Sequence, residues 1–130
     1  MTRLHTVLAV LAVTLSVATA AFAAPRLSAE EEARRVTVAF FRSINERRYV
    51  QTCRLLSRAY YKKYRIPSRR HCVVGLRISF MWSQEIEFRI IGIEADRNRA
   101  VVHSTADGAA GRVTLIRERG ALKVLELKSA

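Results

Sequence analysis

Two of the 130 residues are cysteine, two are proline and one is tryptophan. Each scarcity excludes something. Cys53 and Cys72 lie far apart and lack the Cys-x-x-Cys spacing of a thioredoxin-type redox pair. Zinc needs four ligands, or three with an open position. Here His71 adjoins Cys72, Cys53 is distant and only His103 remains beyond the N-terminal segment, so no metal is expected. A cysteine nucleophile needs a free thiolate near a histidine, and the adjacency of His71 and Cys72 in sequence does not supply that geometry. No phosphate-binding glycine loop, nucleophile elbow or metal-binding histidine motif occurs, and no cofactor is expected. The chain contains no internal repeat and no low-complexity stretch. Past its first residues, no apolar run approaches the ~20 residues a spanning helix requires.

The N-terminus does carry a shorter apolar run. Arg3 precedes Val7 to Ala18, and Ala21-Phe-Ala23 fits the small-x-small cleavage rule, so residues 1–23 read as a secretory signal peptide. The alternative is an uncleaved membrane anchor, for which the run is short. No cysteine follows it, which argues against a lipid-anchored form. Cleavage near Ala23 would leave residues 24–130, the size of one small domain, exported to a periplasmic or extracellular space.

The formal net charge is +12. Loss of residues 1–23 removes Arg3 and no acid, which leaves +11. Arginine far exceeds lysine and alanine is abundant, as a GC-rich genome would impose. An anionic partner is the other explanation for the charge.

Ser28-Ala-Glu-Glu31 forms a capping box, and Glu30, Glu31 and Glu32 suit the positive end of a helix dipole. Ala33, Val36, Phe40, Phe41 and Ile44 then mark the apolar side of a first helix. Tyr49, Cys53, Leu56, Tyr60 and Tyr64 predict one second helix, stopped before Pro67. Ser68 can cap a third helix through Cys72, Val73, Leu76 and Phe80, although Val73, Val74, Ile78 and Phe80 would also suit a strand. From Glu85 the period becomes two. The phase flips at Gly92, which suggests a β-bulge, and flips again after Val124. Asp96-Arg-Asn98 reads as a turn, Ala106 to Gly111 as a loop and Arg119-Gly120 as a tight hairpin. Helices followed by a meander of strands predict an α+β fold, with N-terminal helices packed on a curved antiparallel four-stranded sheet.

The run Val38-Ala-Phe-Phe-Arg-Ser-Ile-Asn, then Tyr49-Val-Gln-Thr-Cys-Arg-Leu-Leu-Ser, then Cys72, resembles small exported bacterial members of the nuclear-transport-factor-2-like (cystatin-like) superfamily. The resemblance spans nearly all of residues 24–130 and rests mainly on the order of parts. It implies a cone-shaped domain, and often pairing of two copies through the open face of the sheet. The superfamily includes isomerases, cyclases and non-catalytic binding domains, so the fold alone settles no function.

Export places the cysteines in an oxidising compartment, where such a pair forms a disulfide. A Cys53–Cys72 bridge between packed helices would add about 3 kcal/mol by loop closure. Arg54, Arg58 and Lys62 repeat at four residues on one helix face, repelling each other by a few tenths of a kcal/mol per pair. They are the anion-binding candidates; the other reading is a plain solvated face. Tyrosines near arginines can stack single-stranded nucleic acid. Here Tyr49, Tyr60 and Tyr64 share the apolar face and are expected in the core, with only Tyr61 free, and an exported protein meets little nucleic acid. Acidic headgroups, wall polymers or an acidic protein surface are the expected anions.

Catalysis of the isomerase type needs an acid and a base with separated pKa values in an apolar pocket. His103, between Val101 and Thr105, is the one candidate base. Asp96 and Asp107 fall in turns, and Glu85 and Glu87 alternate with the apolar positions. Three functions follow in order of expectation. The first is non-catalytic binding of a small apolar ligand in a cone lined by Phe40, Phe88, His103 and Leu115, or of a protein on the sheet. The second is adhesion to an anionic surface through Arg54, Arg58 and Lys62. The third is an isomerase or cyclase using His103.

Overall fold

The computed structural model describes residues 27–130; the leader expected at 1–23 lies outside them. Helix α1 runs Ala29–Asn45, opened by the Ser28 hydroxyl, which accepts the Glu31 N–H at 3.1 Å. It closes with Arg47 in the left-handed region (φ 59°), the Arg48 N–H donating to Ser43 O at 2.8 Å. Glycine is the usual residue at such a position.

Where one second helix was expected, there are two, α2 (Tyr49–Leu55) and α3 (Arg58–Lys63). Leu56 leaves the helix because its backbone pairs in a parallel bridge with Val124, while the Ser57 N–H donates to Val124 O at 2.8 Å. The Ser57 hydroxyl then caps α3 by accepting the Tyr60 N–H at 2.9 Å. Helix α4 covers Arg69–Ser79 with Ser68 as its cap, so the strand alternative for this segment falls.

Four strands, β1 (Phe88–Ala95), β2 (Arg99–Ala106), β3 (Ala109–Glu118) and β4 (Ala121–Ser129), form an open antiparallel meander in chain order. Both phase flips are bulges. Ile91 is unpaired between Ile90 and Gly92, and Leu125 is unpaired where the register passes from Thr114–Glu126 to Leu115–Val124. The loop expected from Ala106 to Gly111 shrinks to Asp107-Gly108, because Ala109, Ala110 and Gly111 already pair with β2. Asp107 and Gly108 have φ of 50° and 80°, and Arg119 and Gly120 have 50° and 82°. Two residues of positive φ match the twist of a two-residue hairpin.

Phe40, Phe41 and Ile44 of α1 share one buried core with Val102, Val113, Leu115, Leu122 and Val124 of the sheet. Phe41 stacks on Phe88 at 4.9 Å between ring centroids. Asn45 holds the segment before β1 as a strand would: its Nδ2 donates to Ile86 O at 2.9 Å and its Oδ1 accepts the Ile86 N–H at 2.7 Å. Glu32 and Arg117 form a two-pronged ion pair at 2.8 and 3.1 Å, and Glu32 Oε1 also accepts the Leu122 N–H. Arg117 further donates to Arg97 O and Gly120 O, which ties α1 to two strand connections at once.

Candidate functional site: a basic concavity beside the disulfide

The break at Leu56–Ser57 shapes this region. Cys53, near the end of α2, is fully buried and bonded to Cys72 in the first turn of α4, with Cα atoms 6.1 Å apart. That separation lies within the range a disulfide spans. The chain between the two cysteines turns through α3 and passes Arg65, in the left-handed region (φ 53°), before Pro67.

A concavity of about 440 Å³ lies inside this loop. Its apolar floor is Cys53, Leu56, Ile66 and Pro67, and its cations are Arg54, Arg58, Lys62 and Arg69. The three basic residues chosen from sequence are therefore brought together, but by a cleft between two helices and not by one helix face. Arg69 is a fourth that the helix-face argument missed; its only local signal is its position just past the Pro67-Ser68 stop. Tyr61 completes the wall, its hydroxyl donating to Cys53 O at 2.9 Å. Burial pushes the Tyr61 hydroxyl above the usual phenol range, and the neighbouring Arg69 partly offsets that rise.

The tyrosine assignments change with the helix break. Tyr49 is buried as expected, but Tyr64 is exposed, and Tyr61, expected to be free, is half-buried against the core alongside Tyr60. The two residues outside the helix at Leu56 and Ser57 rotate everything after them.

Acids are absent from the concavity's lining. Glu118 is close, but both its oxygens accept the backbone N–H of Arg58 at 3.0 Å. Lys63, one turn away, pairs with Glu126 at 3.1 Å, which holds the Glu126 carboxyl below its usual range. Among the described residues, Arg54, Arg58, Lys62 and Arg69 form no ion pair. Residues 47–84 contain ten Arg and Lys and no Asp or Glu, whereas residues 27–46 and 85–130 contain eleven bases and eleven acids. Arginine is frequent in both regions, as a genome-wide bias would make it. The exclusion of acids from one region is not explained by that bias. A second basic concavity, about 370 Å³, adjoins the first and shares Arg54; Arg47, Arg48, Val50, Val73 and Arg77 also line it.

The other sequence candidates lie elsewhere. Phe40 and Leu115 are packed in the core, and Phe88 stacks against Phe41. The cavity nearest them, about 240 Å³, is bounded by Phe41, Ser104, Ala106, Gly111, Val113 and Leu127 at the Asp107-Gly108 end of the sheet. His103 alternates with the buried Val102 and Ser104, so it occupies the sheet face away from α1. Its nearest acid is Glu94, 3.9 Å away and largely exposed. Among the described residues no group of three or more His, Cys, Asp or Glu side chains is placed to hold a metal ion, and no helix is long and apolar enough to cross a membrane.

No protein-family model matches the chain, and no curated protein matches it.

Proposed function

We propose that this chain is an exported, non-catalytic binding module of the nuclear-transport-factor-2-like type, its sheet curved into a cone. In this reading residues 1–23 direct export and the Cys53–Cys72 bridge braces the exported form. The working surface is the basic concavity, and the ligand is an anionic group presented by a cell-surface polymer or lipid. The observation that carries this is the grouping of Arg54, Arg58, Lys62 and Arg69 around one apolar-floored cleft with no acid in its lining. Guanidinium groups suit phosphate and carboxylate because their fork of donors matches both. Like charges held together unpaired repel, and a bound anion removes that cost.

Arg54→Glu, Arg58→Glu and Lys62→Glu together should abolish retention on heparin and on anionic vesicles, while circular dichroism stays unchanged. Retention of the parent chain should fall steeply with added salt, as binding by counterion release does. Adsorption that is indifferent to both the substitutions and the salt would sink the proposal.

A second reading keeps the small apolar ligand. The cavity beside Phe41 has a largely apolar wall at the open end of the core, the kind of concavity that takes such molecules. Mass spectrometry of molecules that co-purify with the protein tests it. Catalysis by His103 is the weakest reading, since that side chain is on the far face of the sheet and its only acid neighbour, Glu94, is exposed.

A further inference from the structure

Helix α4 turns only Cys72 fully inward; Val73, Leu76 and Phe80 are half-buried against the core. Its opposite side should then be polar, but it is apolar. Val74, Ile78, Met81 and Trp82 follow one another at four, three and one residues, one side of a helix and its closing turn. They are 44, 63, 47 and 91% exposed. Single exposed apolar side chains are ordinary, but a contiguous row marks a contact surface. Arg70 lies one turn before Val74. Arg77 lies beside Ile78 and lines the second basic concavity with Arg47, Arg48 and Arg54. The row therefore lies within the stretch of residues 47–84, which has no acid.

We infer that this side of α4 seats in the interface of an anionic lipid bilayer. The inference rests on the anion-binding reading above and deepens it by naming the surface as a membrane. An apolar stripe flanked by arginine is the composition of a helix that lies in the headgroup plane, its side chains ~5–10 Å deep. Tryptophan favours that boundary. Arginine can lay its stem along the acyl region with its guanidinium among headgroups. Anionic lipid adds roughly 1 kcal/mol, or about a fivefold gain in affinity, per basic residue near the surface.

The row from Val74 to Trp82 covers about 12 Å along the helix axis, so α4 would rest on the bilayer and not span it. A second copy of the chain is a poor occupant. A two-fold contact sets a patch against itself, which would bring Arg70 and Arg77 near their own counterparts with no acid in residues 47–84 to pair with. The disulfide contributes here, because it fastens the helix that presents the row.

Trp82 is the only tryptophan in the chain, so its emission reports this surface alone. The protein would be titrated with phosphatidylglycerol vesicles, phosphatidylcholine vesicles and polyphosphate. The expected result is a blue shift and quenching by brominated acyl chains with phosphatidylglycerol, little change with phosphatidylcholine, and binding of polyphosphate without a shift. Ile78→Ser should lower vesicle partitioning about tenfold and leave polyphosphate binding unchanged. Sedimentation with phosphatidylglycerol vesicles at unchanged Trp82 emission overturns the membrane seat and leaves the anion reading standing. Failure to bind either polyphosphate or phosphatidylglycerol overturns both. An equal blue shift with phosphatidylcholine overturns the role of the arginines. A blue shift that grows with protein concentration in the absence of lipid assigns the row to a second copy instead.

Discussion

The region made of α1 and the sheet and the region made of α2, α3 and α4 are held by different forces. The first is closed by burial: the Phe40, Phe41 and Ile44 side of α1 meets Val102, Val113, Leu115 and Val124. The Glu32–Arg117 pair and the Asn45–Ile86 bonds fasten its margins. Its charges balance. The second region reaches the core through Tyr49, Thr52 and Cys53 of α2 and through Leu56, and its other two helices are mostly surface. Helix α3 has no buried residue and α4 has only Cys72. It carries the entire charge excess of residues 27–130, and a covalent bond holds it. Helices crowded with like charges and burying little of their own surface gain little attachment from the core. The disulfide supplies attachment without requiring inward apolar surface, which leaves the apolar side chains of α4 free to face outward.

This contrast predicts that removing the bond injures the second region more than the first. The double variant Cys53→Ala with Cys72→Ala should lose about 3 kcal/mol, the loop-closure value for residues 19 apart. Hydrogen exchange should show α4 amides losing protection well before those of β3. Uniform loss across both regions would mean that they unfold as one unit and that the division is only geometric.

The next largest effect concerns the first region. Arg117→Ala leaves Glu32 without its ionic partner and two backbone carbonyls without a donor. A hydrogen bond to a charged group contributes ~1.5–3 kcal/mol, so a loss of about 2 kcal/mol is expected in chemical denaturation.

The same pair sets a pH dependence. The Arg117 guanidinium bonded to Glu32 holds its carboxyl below the usual carboxylate range, with burial opposing. A carboxyl whose pKa is lower folded than unfolded stabilises fully above the unfolded value, about 4.3. That contribution disappears as pH falls through the folded value. Stability of the parent chain should therefore decline with acid in that window, and Arg117→Ala should flatten the decline. An unchanged acid profile in the variant would show that other carboxylates set it.

The smallest effect runs the other way. Thr37 Oγ1, on the inner side of α1, is the one buried side-chain polar atom without a partner among the described residues. Thr37→Val should raise stability by about 1 kcal/mol, since it removes an unmet polar group at nearly constant volume. Ser43 and Thr52 are a useful control. Their hydroxyls lie 2.7 Å apart and reach Phe40 O and Arg48 O. Two protons can make two of those three contacts at a time, and in either arrangement each hydroxyl is partnered. Thr52→Val should therefore destabilise the chain.

Local signals carried much of the architecture. Ser28 and Ser68 each cap a helix because a hydroxyl beside a free amide needs no tertiary help. Gly92 and the Val124–Leu125 step announced their bulges, since a strand that changes the side it buries must hold an unpaired residue. The Cys53–Cys72 bond matches the expectation drawn from an exported chain with two cysteines. The candidate site was half legible. Arg54, Arg58 and Lys62 do gather, but around a cleft whose floor and fourth cation, Arg69, came from outside the helical repeat.

The short-range grammar of caps, turns and alternation lay within the chain itself, because each rule involves residues a few positions apart. The break at Leu56–Ser57 did not. The repeat of Tyr49, Cys53, Leu56 and Tyr60 favours a continuous helix, and only the backbone of Val124, far along the chain, competes for the Ser57 amide. That long-range bond turned Tyr61 inward and Tyr64 outward and opened the cleft between α2 and α3. Tertiary packing likewise decided which side of His103's strand met the helices. Alternation fixes that residues differ in face, but only packing against α1 fixes which face is the core.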